Sequence, residues 1–191
     1  MSDVVEQGRK PRADSLRNRE QLLAAAKAAF TEGGAEVALE AIARRAGVGI
    51  GTLYRHFPTR EALLAAVYRR EVEQLSASVA PLLAAHPPAD ALRAWLNLLV
   101  DYMATKRVVA PALSASPGEG QAAYAAAGPA IFGALGELLA AAIAGGEVRA
   151  DVTAEDLRRI VIGMTVGYEE PGWAASARRV IDLMMAGLTA R

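Results

Sequence analysis

Apolar residues recur at helical spacing along almost the whole chain, and no stretch alternates in the way a half-buried strand would. From Asp14 or Ser15, a plausible cap, to Glu32, the positions Leu16, Leu22, Leu23, Ala26, Ala29 and Phe30 make one side of a helix that Gly33 and Gly34 stop. Two short helices follow, over roughly 39–46 and 50–57. In the first, Leu39, Ile42, Ala43 and Ala46 fall at offsets of three, four and seven, while Glu40, Arg44 and Arg45 point elsewhere. Gly47 supplies the left-handed residue that ends it. In the second, Leu53 and Phe57 are four apart and face inward, leaving Thr52, Tyr54, Arg55 and His56 to carry donors and aromatic edges on the remaining surface. Pro58 forbids simple continuation. Two short helices around a glycine turn, the second polar and basic, is how a protein presents a helix to DNA.

A long fourth helix starts after the cap Thr59, with Glu61 in its first turn, runs past Leu63, Leu64, Val67, Tyr68, Val72 and Leu75, and ends near His86-Pro87-Pro88. Asp90 then caps a helix carrying Leu92, Trp95, Leu96, Leu99, Tyr102 and Met103, which fades between Val108 and Pro111. Residues 114–120 read as a loop, followed by a short Ala-rich helix over 121–127 and a longer one after Pro129 that Gly145 and Gly146 end. Thr153 with Asp156 resembles a capping box for the next helix, a turn spans Tyr168 to Trp173, and the last helix occupies about 175–189. The pattern predicts an all-α protein of about nine helices: an N-terminal three-helix helix-turn-helix domain over 1–58, and a C-terminal helical domain over 59–191. The last two helices are apolar over more than one face and need neighbours on several sides, which predicts a homodimer through a four-helix interface.

Charge sharpens this division. The chain is neutral overall, yet residues 1–60 hold 10 Lys or Arg against 7 Asp or Glu, and residues 61–191 hold 11 against 14. A basic head is joined to an acidic body. Arg9, Lys10, Arg12, Arg17 and Arg19 cluster before and at the start of the first helix, where they either attract phosphate or form a solvated tail. With no cysteine, disulfides, thiolate zinc sites and cysteine nucleophiles are excluded. The N-terminus has no apolar signal region, and the apolar stretches read as interrupted before the ~20 residues a membrane span needs. The expectation is a soluble cytoplasmic protein with no membrane partner.

The segment from Leu39 to Leu64, Leu-Glu-Ala-Ile-Ala-Arg-Arg-Ala-Gly-Val-Gly-Ile-Gly-Thr-Leu-Tyr-Arg-His-Phe-Pro-Thr-Arg-Glu-Ala-Leu-Leu, closely resembles the DNA-binding region of TetR-family transcriptional regulators. The likeness covers about residues 14–70; beyond that it extends only to helical character and length. It implies a dimeric repressor whose C-terminal helices enclose a small-molecule pocket, the ligand releasing it from a palindromic operator on double-stranded DNA. Position by position, it implies phosphate contacts from Thr52, Tyr54 and His56, a base edge or phosphate for Arg55, close backbone approach at Gly51, and a phosphate contact from Arg60 where the family usually has lysine. Arg44 and Arg45 are further candidates on the outer surface. Ala38 and Gly49 depart from the family's usual Ser or Thr caps, and Ile50 from an often polar residue; Ile50 either meets a thymine methyl or packs, packing being the favoured reading.

For the ligand, the resemblance makes Trp95, Leu99, Tyr102, Met103, Tyr124, Phe132, Met164, Tyr168 and Trp173 candidate pocket residues, although each taken singly reads as core. They suggest a largely apolar effector. Arg107, His86, Glu169 and Glu170 could tune its polarity or lie on the surface. Enzyme readings find no support: there is no His-Glu-x-x-His, Walker lysine or nucleophile elbow, and with His56 and His86 alone no histidine-rich metal site can form. No cofactor is implied. The competing readings are a helical small-molecule-binding protein that no longer binds DNA, and an activator of the same fold.

Overall fold

The computed structural model describes residues 9–115, 118–167 and 170–189; Tyr168, Glu169 and the side chains of Arg9, Lys10 and Arg12 lie outside what is described. Nine helices are present among the described residues: α1 (Arg9–Gly33), α2 (Leu39–Arg45), α3 (Ile50–His56), α4 (Arg60–Ala77), α5 (Val79–Ala85), α6 (Pro88–Ala115), α7 (Glu119–Ala144), α8 (Ala154–Met164) and α9 (Trp173–Leu188). The all-α class follows. The only non-helical pairing described is a single antiparallel bridge between Val148 and Thr189, where the Arg149 amide donates to the Leu188 carbonyl at 3.0 Å.

The first helix does not start at a cap on Asp14 or Ser15 but runs back to Arg9, and at three further boundaries that differ from the periodicity reading proline is involved. The fourth helix does not run unbroken to His86. It ends at Ala77, because Pro81 has no amide to bond the Ala77 carbonyl and its ring would crowd that group. Ser78 makes the joint, its hydroxyl donating to the Leu75 carbonyl at 2.7 Å. Pro111 and Pro129, by contrast, lie inside α6 and α7. An interior proline costs roughly 3 kcal/mol, so packing must hold these helices together. On α7 the buried positions Ala123, Ala127, Ile131, Ala134, Leu138 and Ala142 keep spacings of three and four straight through Pro129, which itself is exposed on the opposite side. On α6, Val109, Ala110 and Leu113 are likewise buried around Pro111.

The expectation that no apolar stretch reaches membrane-spanning length is therefore corrected: Gly120–Ala144 is one helix, long and apolar enough to cross a bilayer by length and composition alone. Its setting supplies another reason for that composition. Leu135, Leu138 and Ala142 have no exposed surface, and α7 packs on α4 and α6 as the central helix of the body.

The core is continuous from head to body. Leu22, Leu23, Ala26 and Phe30 of α1 close on Ile42 of α2, Leu53 of α3 and Leu63, Leu64 and Val67 of α4. Trp95 of α6, fully buried, donates its indole N–H to the Leu75 carbonyl of α4 at 2.9 Å, which satisfies the one polar atom such a side chain brings inside. Lys27 of α1 reaches the buried carboxylate of Glu71 on α4 at 2.5 Å, a second tie between head and body. The capping box of α8 forms as the sequence predicts: the Thr153 hydroxyl accepts from the Asp156 amide at 3.2 Å and the Asp156 carboxylate accepts from the Thr153 amide at 2.9 Å.

Candidate nucleic-acid interface and effector cavity

The corner between α2 and α3 is fixed by backbone chemistry. Gly47 adopts φ 71°, the Gly47 amide donates to the Arg44 carbonyl at 3.1 Å, and the Val48 amide returns to the Ala43 carbonyl at 3.0 Å. This pair of bonds is the Schellman arrangement, which needs a left-handed residue and so favours glycine. Neither Ala38 before α2 nor Gly49 before α3 makes a side-chain cap, as their residue types predict.

Turned by this corner, α3 buries Leu53 and is closed at its end by buried Phe57, over which the Arg19 guanidinium of α1 stands at 5.6 Å. Its other face is open. Tyr54 and Arg55 are exposed, and Thr52 and His56 half-exposed. Arg55 lies back along its own helix, donating to the Thr52 hydroxyl at 2.8 Å and the Gly51 carbonyl at 3.3 Å, a rest position that leaves the Thr52 proton free to be donated outward. Gly51 has no neighbour within 4 Å of where a Cβ would stand. Ile50 does not join the core: it is 36% exposed at the first turn of α3, which keeps the thymine-methyl reading open.

The other basic candidates are engaged differently. Arg44 is exposed. Arg45 grips Glu32 at the end of α1 through two bonds of 2.6 and 2.8 Å, and the guanidinium holds the Glu32 carboxyl below the usual carboxylate range. Arg60 donates through one nitrogen to the Ala35 and Val37 carbonyls at 2.8 and 2.7 Å, so it braces the loop between α1 and α2 from the start of α4.

Within the body, Tyr68, Leu99, Tyr102, Met103, Lys106, Tyr124, Ile131, Phe132, Val161, Ile162 and Thr165 surround a cavity of about 400 Å³ contributed by α4, α6, α7 and α8. Five of the candidate pocket residues, Leu99, Tyr102, Met103, Tyr124 and Phe132, meet there. Trp95 does not, being spent in the core. Met164 and Trp173 are half-buried and bonded to one another, the indole donating to the Met164 carbonyl at 2.6 Å, away from the cavity wall. Tyr168 and Glu169 lie outside the described residues, while His86, Arg107 and Glu170 are exposed.

Sequence reasoning missed Tyr68 and Lys106. The signal for Lys106 was present, because Leu99, Met103 and Lys106 stand at offsets of four and seven and put a lysine on the apolar stripe of α6. Tyr102 donates its hydroxyl to that of Tyr68 at 2.7 Å, and Tyr68 stacks on Tyr124 with centroids 6.0 Å apart. Burial pushes both phenols above their ordinary range, so they are neutral donors at physiological pH. Burial also pushes the Lys106 amine down.

Comparison with known proteins now decides the family. The family model for bacterial regulatory proteins of the tetR family matches residues 22–67, and that for the C-terminal domain of SbtR-like transcriptional regulators matches residues 87–190, more than half the chain. The chain belongs to the TetR family of transcriptional regulators. A crystal structure of a TetR transcriptional regulator from Streptomyces coelicolor is 45% identical, with a TM-score of 0.81 over 90% of this chain and 98% of that one. Another, from Mycobacterium vanbaalenii, is 36% identical with a TM-score of 0.78, covering 94% of this chain and 99% of that one. The transcriptional repressor KstR of Mycolicibacterium smegmatis is 43% identical over 60 residues, which span 31% of this chain and only 29% of KstR. The likeness to that repressor thus covers a minority of either protein. Proteins of this family regulate transcription and are not enzymes, and among the described residues no cluster of His, Cys, Asp or Glu could hold a metal.

Proposed function

We propose that this regulator is a dimeric repressor that lays α3 in the major groove of a palindromic operator and is released by a small, largely apolar effector. The observation that carries the DNA half of the reading is the sidedness of α3, with Leu53 and Phe57 inside and Thr52, Tyr54, Arg55 and His56 gathered on the open face. In this reading Thr52, Tyr54 and His56 donate to phosphates, Gly51 admits close backbone approach, and Arg55 swings out from its rest position to a base edge, arginine on guanine being the commonest specific contact. Arg44 adds to the positive surface, whereas Arg45 and Arg60 act first by fixing α2 and α4.

The dimer reading draws on the last two helices. Leu157 and Val161 of α8 and Ala177, Ile181, Met185 and Leu188 of α9 are buried within one chain, but Val166 remains 82% and Leu183 74% exposed, and Ile160, Ile162 and Val180 are exposed as well. Apolar side chains so open on the last two helices and the turn between them fit an interaction surface, and a second copy covering it would set two α3 helices about one turn of DNA, ~34 Å, apart. Residues 1–58 serve as the reading head and 59–191 as the sensing and pairing body.

A gel mobility shift on the DNA upstream of the protein's own gene tests the reading. Wild type should bind one palindrome with affinity that falls as salt rises, and Arg55→Ala should lower affinity by about ten- to hundredfold, the worth of one bidentate base contact. Equal binding to that palindrome and to random duplex would defeat it.

A further inference from the structure

Lys106 is the cavity's unmatched charge. It is half-buried in a wall whose other described residues are aromatic or aliphatic apart from Thr165, whose hydroxyl donates to the Ile162 carbonyl, and among the described residues no Asp or Glu lines the space or pairs with it. Its ammonium stands 5.4 Å over the Tyr124 ring. That ring stacks on Tyr68, whose hydroxyl oxygen already accepts the Tyr102 proton. A phenol that accepts one bond still has its own proton to give. Lys106 and Tyr68 thus offer two donors on one aromatic strip, Lys106–Tyr124–Tyr68, while Leu99, Met103, Ile131, Phe132 and Val161 make much of the remaining wall apolar.

We infer that the cavity selects an organic monocarboxylate with an apolar body, its carboxylate on the Lys106 ammonium and the Tyr68 hydroxyl a further donor along the same strip. A neutral guest would leave the ammonium desolvated and unpaired, which is costly in an apolar site. A phosphate monoester would bring close to two charges against one cation. At about 30 Å³ per water in the liquid, 400 Å³ is room for roughly a dozen water-sized groups, the scale of a two-ring or medium-chain acid. Desolvation of the Lys106 amine points the same way, since a counter-ion restores what burial removes. The inference rests on the effector-cavity reading and narrows it to one ligand chemistry.

Isothermal titration of the purified full chain, without DNA, with 2-naphthoate and the isosteric neutral 2-naphthamide provides the test. The acid should bind at least about tenfold tighter than the amide, the worth of a hydrogen bond to a charged group. Lys106→Gln should erase the preference and Lys106→Arg keep it, thermal melts of both variants establishing that they fold. If the amide binds as tightly as the acid, or if Lys106→Gln retains the preference, the anion selectivity is wrong while the cavity still takes ligands. If neither probe binds at millimolar concentration, this inference and the effector reading beneath it both fall.

Discussion

Gly47→Ala isolates the backbone geometry on which the reading head depends. Nothing lies within 4 Å of where its Cβ would stand, so the substitution adds no clash and its whole cost is conformational. At φ 71° an alanine pays roughly 1–2 kcal/mol relative to a right-handed position, partly offset by about 0.4–1 kcal/mol from the stiffer unfolded chain. A net loss near 1 kcal/mol lowers the melting temperature of a chain this size by about 2–4 °C. The control is two residues away: Gly49 has φ −71° and equally open space, so Gly49→Ala adds no left-handed strain, and the small loss of glycine at the cap of α3 is offset by the stiffer unfolded chain to a net change of no more than about 0.5 kcal/mol. Relief of the strain would break the Gly47 and Val48 amide bonds and tilt α3 against α2, so DNA affinity should fall with Gly47→Ala and hold with Gly49→Ala. Thermal unfolding followed by circular dichroism, with fluorescence anisotropy on labelled operator, reads both effects. Gly47→Ala melting at or above wild type, or no differently from Gly49→Ala, would refute the reasoning.

Leu183→Glu replaces a side chain that is 74% exposed in the single chain, so helicity should persist while sedimentation velocity shows monomer in place of dimer; an unchanged dimer places the interface elsewhere. The N-terminus of α8 should respond to acid. The Thr153 hydroxyl and then its amide hold the Asp156 carboxyl below the usual carboxylate range, and Arg158 and Arg159 pull Glu155 down to about 2. Because both folded values are depressed, their stabilisation is present above the ordinary carboxylate range and is lost as pH falls towards about 2. Asp156→Asn should lower the melting temperature near neutrality and flatten its decline in acid, whereas an undiminished acid slope would assign that sensitivity to other groups.

Residue spacing alone determined the class, the short helices α2 and α3, the glycine corner and the capping box, because each depends on bonds within a few residues of chain. The sidedness of α3 was legible for the same reason: Leu53 and Phe57 are four apart, and the open face is what remains. Tertiary structure decided what prolines and buried polar groups do. Pro81 sits in the first turn of α5, where its missing amide has no partner to lose, and marks the joint after α4, while Pro111 and Pro129 lie deep inside helices that buried side chains on both flanks hold together. It also decided roles for residues whose type permits several. Arg60 and Arg45 look like phosphate ligands in sequence, yet fold onto carbonyls and a carboxylate that lie 13 to 25 residues away. Trp95 and Tyr102 occupy the same apolar stripe of α6, but only contact with α4 sends one into the core and turns the other to a cavity. Local spacing fixes which way a side chain leaves its helix; what it meets there depends on the helix that packs opposite.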